Sequence, residues 1–375
     1  MDQTTSGLEL RSLTTSDGQL RLSLEPVTPG APGPDEVLVR VEAAPINPSD
    51  LALLLGPADV STIRAEGTPD RPVLVADIPQ QRLAYIRGRL DQSLPVGNEG
   101  AGTVIAAGSN AQHLLGKKVG MIGGAMFTQL RKLPARDCIE LPEGASVADG
   151  ASMFVNPMTS LGFTETMKAE GHKALIHTAA ASNLGQMLNK ICLKDGIPLV
   201  NIVRSEAQAE ILRSIGARYI VDSTSPNFMD ELTEAVAETG ATVAFDAIGG
   251  GKLAGKILQA MEAAAARNMK TYNRYGSDTF KQVYIYGGLD PSPTIINRSF
   301  GFAWSISGWL LTPFLQKAGM ETVMRMRKRI ADELKTTFAS HYTQTISLRE
   351  ALDPQILAAY ERKATGEKYL IDPSL

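Results

Sequence analysis

Two polar residues end a predicted strand–turn–helix–strand segment. The segment, residues 173–205, reads KALIHTAAASNLGQMLNKICLKDGIPLVNIVRS and closes with Arg204 and Ser205. In a dinucleotide-binding βαβ unit an acidic residue here binds the ribose 2′-hydroxyl, whereas a cation with a hydroxyl suits a 2′-phosphate. The pair therefore favours NADPH over NADH. The alternative is that Ser205 only caps the next helix, with Gln208 completing a capping box, and that Arg204 is a solvated surface charge.

The turn between the first strand and the helix of this unit consists of small residues. Ala180, Ser182 and Gly185 stand where a dinucleotide fingerprint places its three glycines, with Asn183 and Leu184 among them. Small residues let the backbone approach a pyrophosphate, and the helix N-terminus presents N–H groups to it. Only the third glycine is kept, and small residues also serve close packing, so the fingerprint depends on its context.

The chain after Ser205 continues to alternate between predicted helices and strands. This alternation predicts an α/β fold with a doubly wound parallel sheet. Ligands of such sheets bind outside the carboxyl ends of the strands, which places residues 179–185, 246–250 and 287–289 on one rim. The candidate cofactor-binding residues there are Gly249, Gly287, Gly288 and Leu289.

The N-terminal part has a different pattern. Residues 8–43 read as short strands separated by turns, and the glycines between 97 and 108 are typical of strands that bend around a small barrel. Between them, the proline-rich residues 56–95 read as a long irregular insertion. It either covers or rims a site, or it is a surface elaboration.

Composition limits the class of protein. The 375 residues are enough for two domains, and a net charge of −3 gives no general attraction to nucleic acid or to anionic membranes. The two cysteines, Cys138 and Cys192, allow no disulfide framework and favour a reducing compartment. With no predicted signal peptide and no apolar run of membrane-spanning length, we expect a cytoplasmic protein.

Five motifs occur in the order seen in the medium-chain dehydrogenase/reductase superfamily. They are INPSD at 46–50, GNEGAGTV at 97–104, NPMTSLGF at 156–163, AAASNLGQ at 179–186 and TGEKYLI at 365–371. The chain resembles the zinc-free quinone oxidoreductase and 2-enoyl thioester reductase-like branch. The resemblance implies a β-rich, GroES-like catalytic domain (1–155 and 316–375), a Rossmann NADP-binding domain (156–315), NADPH as hydride donor and a homodimer. Thr159, inside the third motif, joins the candidate cofactor-binding residues.

The residues at the positions of the superfamily's catalytic zinc ligands predict no metal. Asn47 and Asn98 match those positions, and neutral amides are poor zinc ligands compared with thiolate and imidazole. None of His113, His172, His177 and His341 stands at metal-ligand spacing. Asn47 then positions substrate or nicotinamide, or holds its own loop through a side-chain turn.

Without zinc, reduction of a polarised C=C bond or a quinone is favoured over oxidation of an alcohol, because it needs only a hydride, carbonyl polarisation and a proton. Enoyl thioester reductases of the superfamily place a tyrosine after the INPSD helix, where this chain has Ala58. Counting back from GNEG reaches Tyr85 instead. Tyr85 is therefore a candidate acid, with water or the insertion as the default, and a quinone needs no dedicated donor. Tyr272, Tyr275 and Lys281 are expected at the surface.

These observations lead to one hypothesis and one alternative. The hypothesis is an NADPH-dependent, zinc-independent oxidoreductase that reduces a quinone or an enone, acts on a small molecule and forms a homodimer. The alternative is a catalytically silent NADPH-binding sensor or interaction protein, which the missing tyrosine and the degenerate fingerprint permit.

Overall fold

The computed structural model describes residues 5–363 and 365–375. They form two compact units, one comprising the described chain up to Val155 with Ile330–Leu375, the other Asn156–Arg329. The predicted boundary at residue 316 differs from this division. The helical segment Leu311–Asp332 is interrupted by a kink at Gly319, and Arg325 in its second part pairs with Glu165 at 2.8 Å; residues 316–329 belong to the second unit.

The secondary structure comprises strands and helices numbered here in chain order. The strands are β1 Gly7–Thr14, β2 Gln19–Val27, β3 Glu36–Pro45, β4 Arg64–Thr68, β5 Arg71–Asp77, β6 Ser93–Pro95, β7 Glu99–Ala107, β8 Lys118–Ile122, β9 Leu130–Pro134, β10 Cys138–Glu140, β11 Leu175–His177, β12 Leu199–Val203, β13 Tyr219–Asp222, β14 Val243–Asp246, β15 Gly249–Gly251, β16 Lys281–Ile285, β17 Asp290–Thr294, β18 Trp304–Gly308, β19 Gln344–Ile346 and β20 Tyr369–Ile371. The helices are α1 Pro48–Leu54, α2 Gln80–Leu83, α3 Val147–Gly150, α4 Val155–Ala169, α5 Asn183–Asp195, α6 Glu206–Ile215, α7 Phe228–Thr239, α8 Leu253–Ala266, α9 Leu311–Asp332 and α10 Pro354–Glu361.

The first unit is β-rich, as predicted. One sheet has the order β4-β5-β2-β1-β6, and a second runs β10-β8-β7-β3-β20-β19 with β9 on β3. Alternation in β2 turns Leu20, Leu22 and Leu24 into the core while the residues between them are more exposed. At Gly102 a Cβ would collide with the Arg40 carbonyl, so β3 and β7 approach more closely than other residues allow.

The prediction that residues 56–95 are irregular was wrong. Within them, β4 and β5 form an antiparallel hairpin that extends the first sheet through β2, with Gly67 opposite Pro72 near its turn. The prolines suggested broken structure, but Pro72 lies at the hairpin end, where a missing N–H costs little. The segment is therefore part of the sheet.

The second unit holds the predicted doubly wound sheet. Its six strands are parallel and ordered β13-β12-β11-β14-β16-β18, which is the 3-2-1-4-5-6 order of a Rossmann fold. β12 is buried along its whole length, as expected for a strand covered on both faces. The predicted fold class is confirmed. No helix in the described part of the chain is both long and apolar enough to cross a bilayer.

A buried ion pair ties α8 to the first residue of β16. Lys281, expected at the surface, is 0% exposed, and its Nζ donates to Glu262 Oε2 at 2.6 Å. Ser277 donates to the same carboxylate through its N–H and its hydroxyl at 2.7 and 2.6 Å. Burial alone opposes ionisation of Glu262, but these donors outweigh it and lower its pKa. Tyr272 and Tyr275 are exposed, as expected.

We predict that Lys281→Met destabilises the protein by about 3–5 kcal/mol, because it leaves the Glu262 carboxylate buried without its cation. Urea unfolding of the two proteins measures the difference. The double variant Lys281→Met/Glu262→Leu removes both charges and should recover most of the loss. Equal stability of the single variant and the wild type would contradict the role of this pair.

Candidate active site

The predicted pyrophosphate turn is built by a helix cap and a close backbone approach. Ser182 precedes α5, and its Oγ accepts the N–H of Gly185 at 3.1 Å. A Cβ at Gly185 would overlap the carbonyl oxygen of Ala180, so the turn accepts only glycine there. Asn183 and Leu184 begin α5 and lie in its first turn, where backbone N–H groups lack intrahelical acceptors. The structure thus brings these five predicted residues together.

Helix α4 lies against the same turn. Ser160 donates its hydroxyl hydrogen at this contact, where its Oγ lies 3.2 Å from the Leu184 carbonyl and 2.8 Å from the Asn156 carbonyl. Thr159 is the preceding residue of α4 and is buried. The predicted Thr159 is therefore adjacent in sequence to the residue that contacts the turn.

A second loop is fixed beside the turn by a buried carboxylate. Thr178 Oγ1 donates to Asp246 Oδ1 at 2.7 Å and accepts the N–H of Ala247 at 2.8 Å. The Asp246 carboxylate also accepts the N–H groups of Ile248 and Gly249 at 2.9 and 3.2 Å. These bonds hold the end of β14 against the end of β11.

The predicted glycines of this rim pack against each other. Gly249 has φ +78°, and a Cβ there would collide with the Gly287 carbonyl. Leu289 donates its N–H to the Ala247 carbonyl at 3.1 Å, while Gly288 and the Leu289 side chain are exposed. The structure therefore places all four glycine-loop candidates at the carboxyl ends of β14 and β16.

Arg204 and Ser205 follow the carboxyl end of β12. Ser205 caps α6 by accepting the N–H of Gln208 at 3.4 Å, and Gln208 Oε1 accepts the N–H of Arg204 at 3.0 Å. The capping role considered for Ser205 is thus present. Arg204 is exposed, and the carboxylates of Glu206 and Glu210 pair with Arg213 instead, at 2.6 and 2.9 Å.

A buried histidine–tyrosine pair lies at the same sheet edge. His177, the last residue of β11, is fully buried, and its Nε2 lies 2.7 Å from the Tyr286 hydroxyl. Burial lowers the pKa of His177 to about 3, so the imidazole is neutral near pH 7. Sequence reasoning tested His177 only as a metal ligand. Tyr286 also lines a pocket of about 390 Å³ with Ile285, Gly287, Gly308, Trp309, Leu310 and Pro313.

A polar group in the first unit surrounds Asn47, which precedes α1. Its backbone N–H donates to Asp50 at 2.8 Å, and its Nδ2 donates to Glu99 Oε1 at 2.8 Å. Asn98 donates its N–H to the other Asp50 oxygen at 2.8 Å. Among the described residues, Asn47 Oδ1 is buried without a hydrogen-bond partner. Asn47 therefore holds its loop and keeps one acceptor for another group.

Glu99 is the centre of this group. It is fully buried, and its Oε2 accepts the N–H groups of Phe154 and Val155 at 2.9 and 2.8 Å. Burial raises the pKa of Glu99 and raises that of Asp50 to about 7, while the Lys368 charge acts in the opposite direction on both. Sequence reasoning did not assign Asp50, Glu99 or Lys368 a role, although each lies in a motif used for the resemblance.

Tyr85 is not part of this buried group. It is 89% exposed in the irregular helical segment Ala84–Arg89, while Ala58 is buried. Its place in the structure gives the predicted role as proton donor no support.

The two amides at the expected metal positions hold neighbouring side chains through their Nδ2 groups. Asn98 Nδ2 donates to Ser49 Oγ at 3.0 Å, and the Asn47 amide holds Glu99. Within residues 5–363 and 365–375, no group of three or more His, Cys, Asp and Glu side chains is arranged to hold a metal ion.

No protein-family model matches the chain. A rat synaptic vesicle membrane protein VAT-1 homolog is 25% identical over 238 residues, 62% of this chain and 51% of that protein. A mycocerosic acid synthase-like polyketide synthase of Mycobacterium tuberculosis is 26% identical over 299 residues, 77% of this chain and 13% of that protein. The chain thus spans about half the length of the first relative and 13% of the length of the second.

Solved structures match along the whole chain. A Mesorhizobium loti protein assigned as an NADPH:quinone reductase has a TM-score of 0.72 at 24% identity, covering 100% of both chains. Escherichia coli quinone oxidoreductase, complexed with NADPH, has a TM-score of 0.68 at 17% identity, covering 98% of this chain and 100% of that one. The chain has the fold of these two proteins. A mutant enoyl thioester reductase from Candida tropicalis shares this reductase fold, with a TM-score of 0.66, 20% identity and coverage of 98% and 100%. The predicted resemblance to quinone and enoyl reductases is confirmed.

We predict that acid destabilises this reductase fold partly through His177. In the folded protein its pKa of about 3 lies below the ordinary 6.5. Between pH 6.5 and pH 3 the imidazole is therefore protonated in the unfolded chain and neutral in the folded one. The free energy of unfolding should therefore fall by about 1.4 kcal/mol per pH unit below pH 6.5 from this residue alone.

Urea unfolding at several pH values between 7 and 4.5 measures this slope. His177→Gln should flatten it by about one proton, and His113→Gln, at an exposed position, should keep it. An unchanged slope in His177→Gln would show that this residue is not the source.

Proposed function

We propose that this chain is an NADPH-dependent oxidoreductase that reduces a quinone or an activated C=C bond by hydride transfer without a metal ion. The observation that carries the proposal is the pair Arg204–Ser205 at the carboxyl end of β12. Arg204 is exposed, and the nearby carboxylates of α6, Glu206 and Glu210, pair with Arg213. The Arg204 guanidinium is therefore available for a phosphate.

The turn before α5 suits the rest of such a cofactor. Its capped helix start and its glycine at the closest backbone approach favour a pyrophosphate at the N-terminus of α5. Gly249, Gly287, Gly288 and Leu289 line the neighbouring strand ends, where a Rossmann sheet receives its ligand. When bound, NADPH would supply the hydride.

The residues around Asn47 favour reduction over alcohol oxidation. Removing hydride from an alcohol needs a strong electrophile at the oxygen, and two amides committed to Glu99 and Ser49 do not provide a thiolate–imidazole metal site. A conjugated carbonyl or a quinone can itself accept the electron pair that the added hydride displaces, so it does not need a metal ion for this. The quinone and enoyl reductases of similar fold support these two substrate classes.

A catalytically silent NADPH-binding protein is the second candidate. The buried Ala58 in place of the expected tyrosine, with Tyr85 exposed, favours it. For either function we propose a cytoplasmic homodimer.

Binding of the two nucleotides tests the cofactor. We predict that Arg204→Ala weakens NADPH binding by about 1.5–3 kcal/mol, or roughly 10- to 150-fold in Kd, because a charge-assisted contact to the 2′-phosphate is lost. NADH binding should be unchanged, since it lacks that phosphate. Nucleotide fluorescence titration measures both constants.

The matched control is Arg267→Ala. Arg267 is another exposed arginine of the second unit, paired with Glu234 at 2.7 Å, and it follows α8 at the opposite edge of the sheet. The Arg267→Ala variant should bind NADPH and NADH with unchanged affinity. An NADPH preference that survives Arg204→Ala would refute this assignment of the phosphate site.

Turnover separates the two candidate functions. We predict that the purified protein oxidises NADPH when a quinone or a conjugated enone is added, measured as loss of absorbance at the dihydronicotinamide band. NADPH binding without turnover on either substrate class would favour the silent protein. Metal chelation should leave the rate unchanged.

A further inference from the structure

One arginine of α6 holds two carboxylates of the same helix. Arg213 Nη1 donates to Glu206 Oε1 at 2.6 Å and to Glu210 Oε2 at 2.9 Å, and Arg213 Nη2 donates to Glu206 Oε2 at 3.2 Å. The contact with Glu206 is bidentate, and in this geometry a guanidinium holds a carboxylate in one orientation. An exposed ion pair adds little to stability. Its effect here is on where the Glu206 carboxylate lies.

Glu206 stands at the edge of the sheet that carries the proposed phosphate site. It is the first residue of α6 and follows directly after Arg204 and Ser205. Arg213 lowers the pKa of Glu206 through its hydrogen bond and its charge, and the carboxylate of Asp222 acts in the opposite direction. Asp222 is the last residue of β13. Glu206 is therefore close to the carboxyl ends of both β12 and β13.

The ion pair draws the Glu206 carboxylate away from this edge. Glu206 and Arg213 are seven residues apart, about 10 Å along the helix axis, so their side chains extend toward each other. Without Arg213, Glu206 and Glu210 would repel each other, because like charges at i and i+4 are neighbours on a helix. The positive charges left to Glu206 would be the N–H groups of the first helical turn and the Arg204 guanidinium.

A Glu206 carboxylate turned toward Arg204 would affect the two nucleotides differently. It would neutralise Arg204 and repel the 2′-phosphate of NADPH. The 2′-hydroxyl of NADH carries no charge and can donate to a carboxylate, which is the contact that an acidic residue makes in sites for NADH. The chain thus carries an acidic residue two positions after Arg204, and an ion pair keeps it from this use.

We propose that Arg213 determines the preference of this site for NADPH over NADH by holding the Glu206 carboxylate away from Arg204. This inference rests on the proposed function. Arg213 is a positioning residue, because it acts on the cofactor through Glu206. The preference then depends on three charged residues, of which Arg204 alone contacts the phosphate.

Arg213→Met tests the inference. It removes the guanidinium at an exposed position and keeps an unbranched side chain of similar helix propensity. NADPH binding should weaken by roughly 3- to 10-fold, as expected for an exposed charge that salt partly screens, and NADH binding should not weaken. Nucleotide fluorescence titration measures both Kd values at low and at high ionic strength. The loss of NADPH affinity should be smaller at high ionic strength.

A second substitution separates the charge of Glu206 from damage to the helix. In Arg213→Met/Glu206→Gln, the amide carries no charge that repels a phosphate, so NADPH affinity should return to nearly the wild-type value. Glu206→Gln alone should bind NADPH like the wild type, since Arg213 already holds that carboxylate away. A helix distorted by Arg213→Met would not be repaired by the second substitution.

The matched control is Arg267→Met. Arg267 also makes a bidentate pair at the surface of the second unit, with Glu234 at 2.9 and 2.7 Å. This variant loses an ion pair of the same geometry and should keep the wild-type affinity for both nucleotides. Thermal unfolding establishes that every variant is folded.

The outcomes separate the inference from the function it rests on. A wild type that binds neither nucleotide, or that binds NADH more tightly than NADPH, refutes the cofactor assignment and the inference with it. A wild type that prefers NADPH, with an Arg213→Met variant that keeps this preference, refutes the inference alone. The inference also fails if Arg213→Met weakens both nucleotides equally, or if Glu206→Gln does not restore NADPH binding to it.

Discussion

The buried carboxylate of Glu99 is the constraint on which the first unit depends. A carboxylate removed from water must be neutralised or saturated with donors. The Asn47 amide and the backbone N–H groups of Phe154 and Val155 saturate it, and Lys368 compensates its charge. These partners come from the residue before α1, from the segment after α3 and from the residue before β20. One desolvated group thereby fixes the relative positions of three distant pieces of the chain.

In the second unit, the buried carboxylate of Asp246 is likewise saturated with hydrogen-bond donors. Its carboxylate accepts from Thr178, Ile248 and Gly249, so the ends of β11 and β14 are held in one arrangement. The glycines of the rim can then approach each other with no side chain between them. Rigid backbone at a sheet edge is what a dinucleotide site requires, because its main contacts come from N–H groups. In both units a carboxylate saturated with hydrogen-bond donors helps to fix the geometry of the candidate site.

Local patterns were sufficient for the strand–turn–helix–strand part of the Rossmann sheet and insufficient for features that depend on residues distant in sequence. The turn at Ala180–Gly185 and the strand end at Arg204 were predictable because a βαβ unit is a local structure with a fixed spacing. The hairpin β4–β5 was not, since its pairing with β2 depends on residues some 50 positions earlier. Lys281 was expected in solvent because its partner Glu262 lies 19 residues away on another element. The hydrogen bond from Lys368 Nζ to Ser152 Oγ joins residues that are 216 positions apart, a separation that no local sequence pattern covers.

The place of β20 in its sheet sets an order for folding during synthesis. β20 lies between β3 and β19, so the second sheet has a vacant interior position until residues 369–371 have left the ribosome. The unit Asn156–Arg329 is continuous in sequence and can form its parallel sheet before β20 has been synthesised. Until then β3 presents unpaired backbone on the side that β20 will occupy, a surface prone to pairing with other chains. The N-terminal part of the first unit therefore stays open to wrong strand pairing for longer than the second unit does.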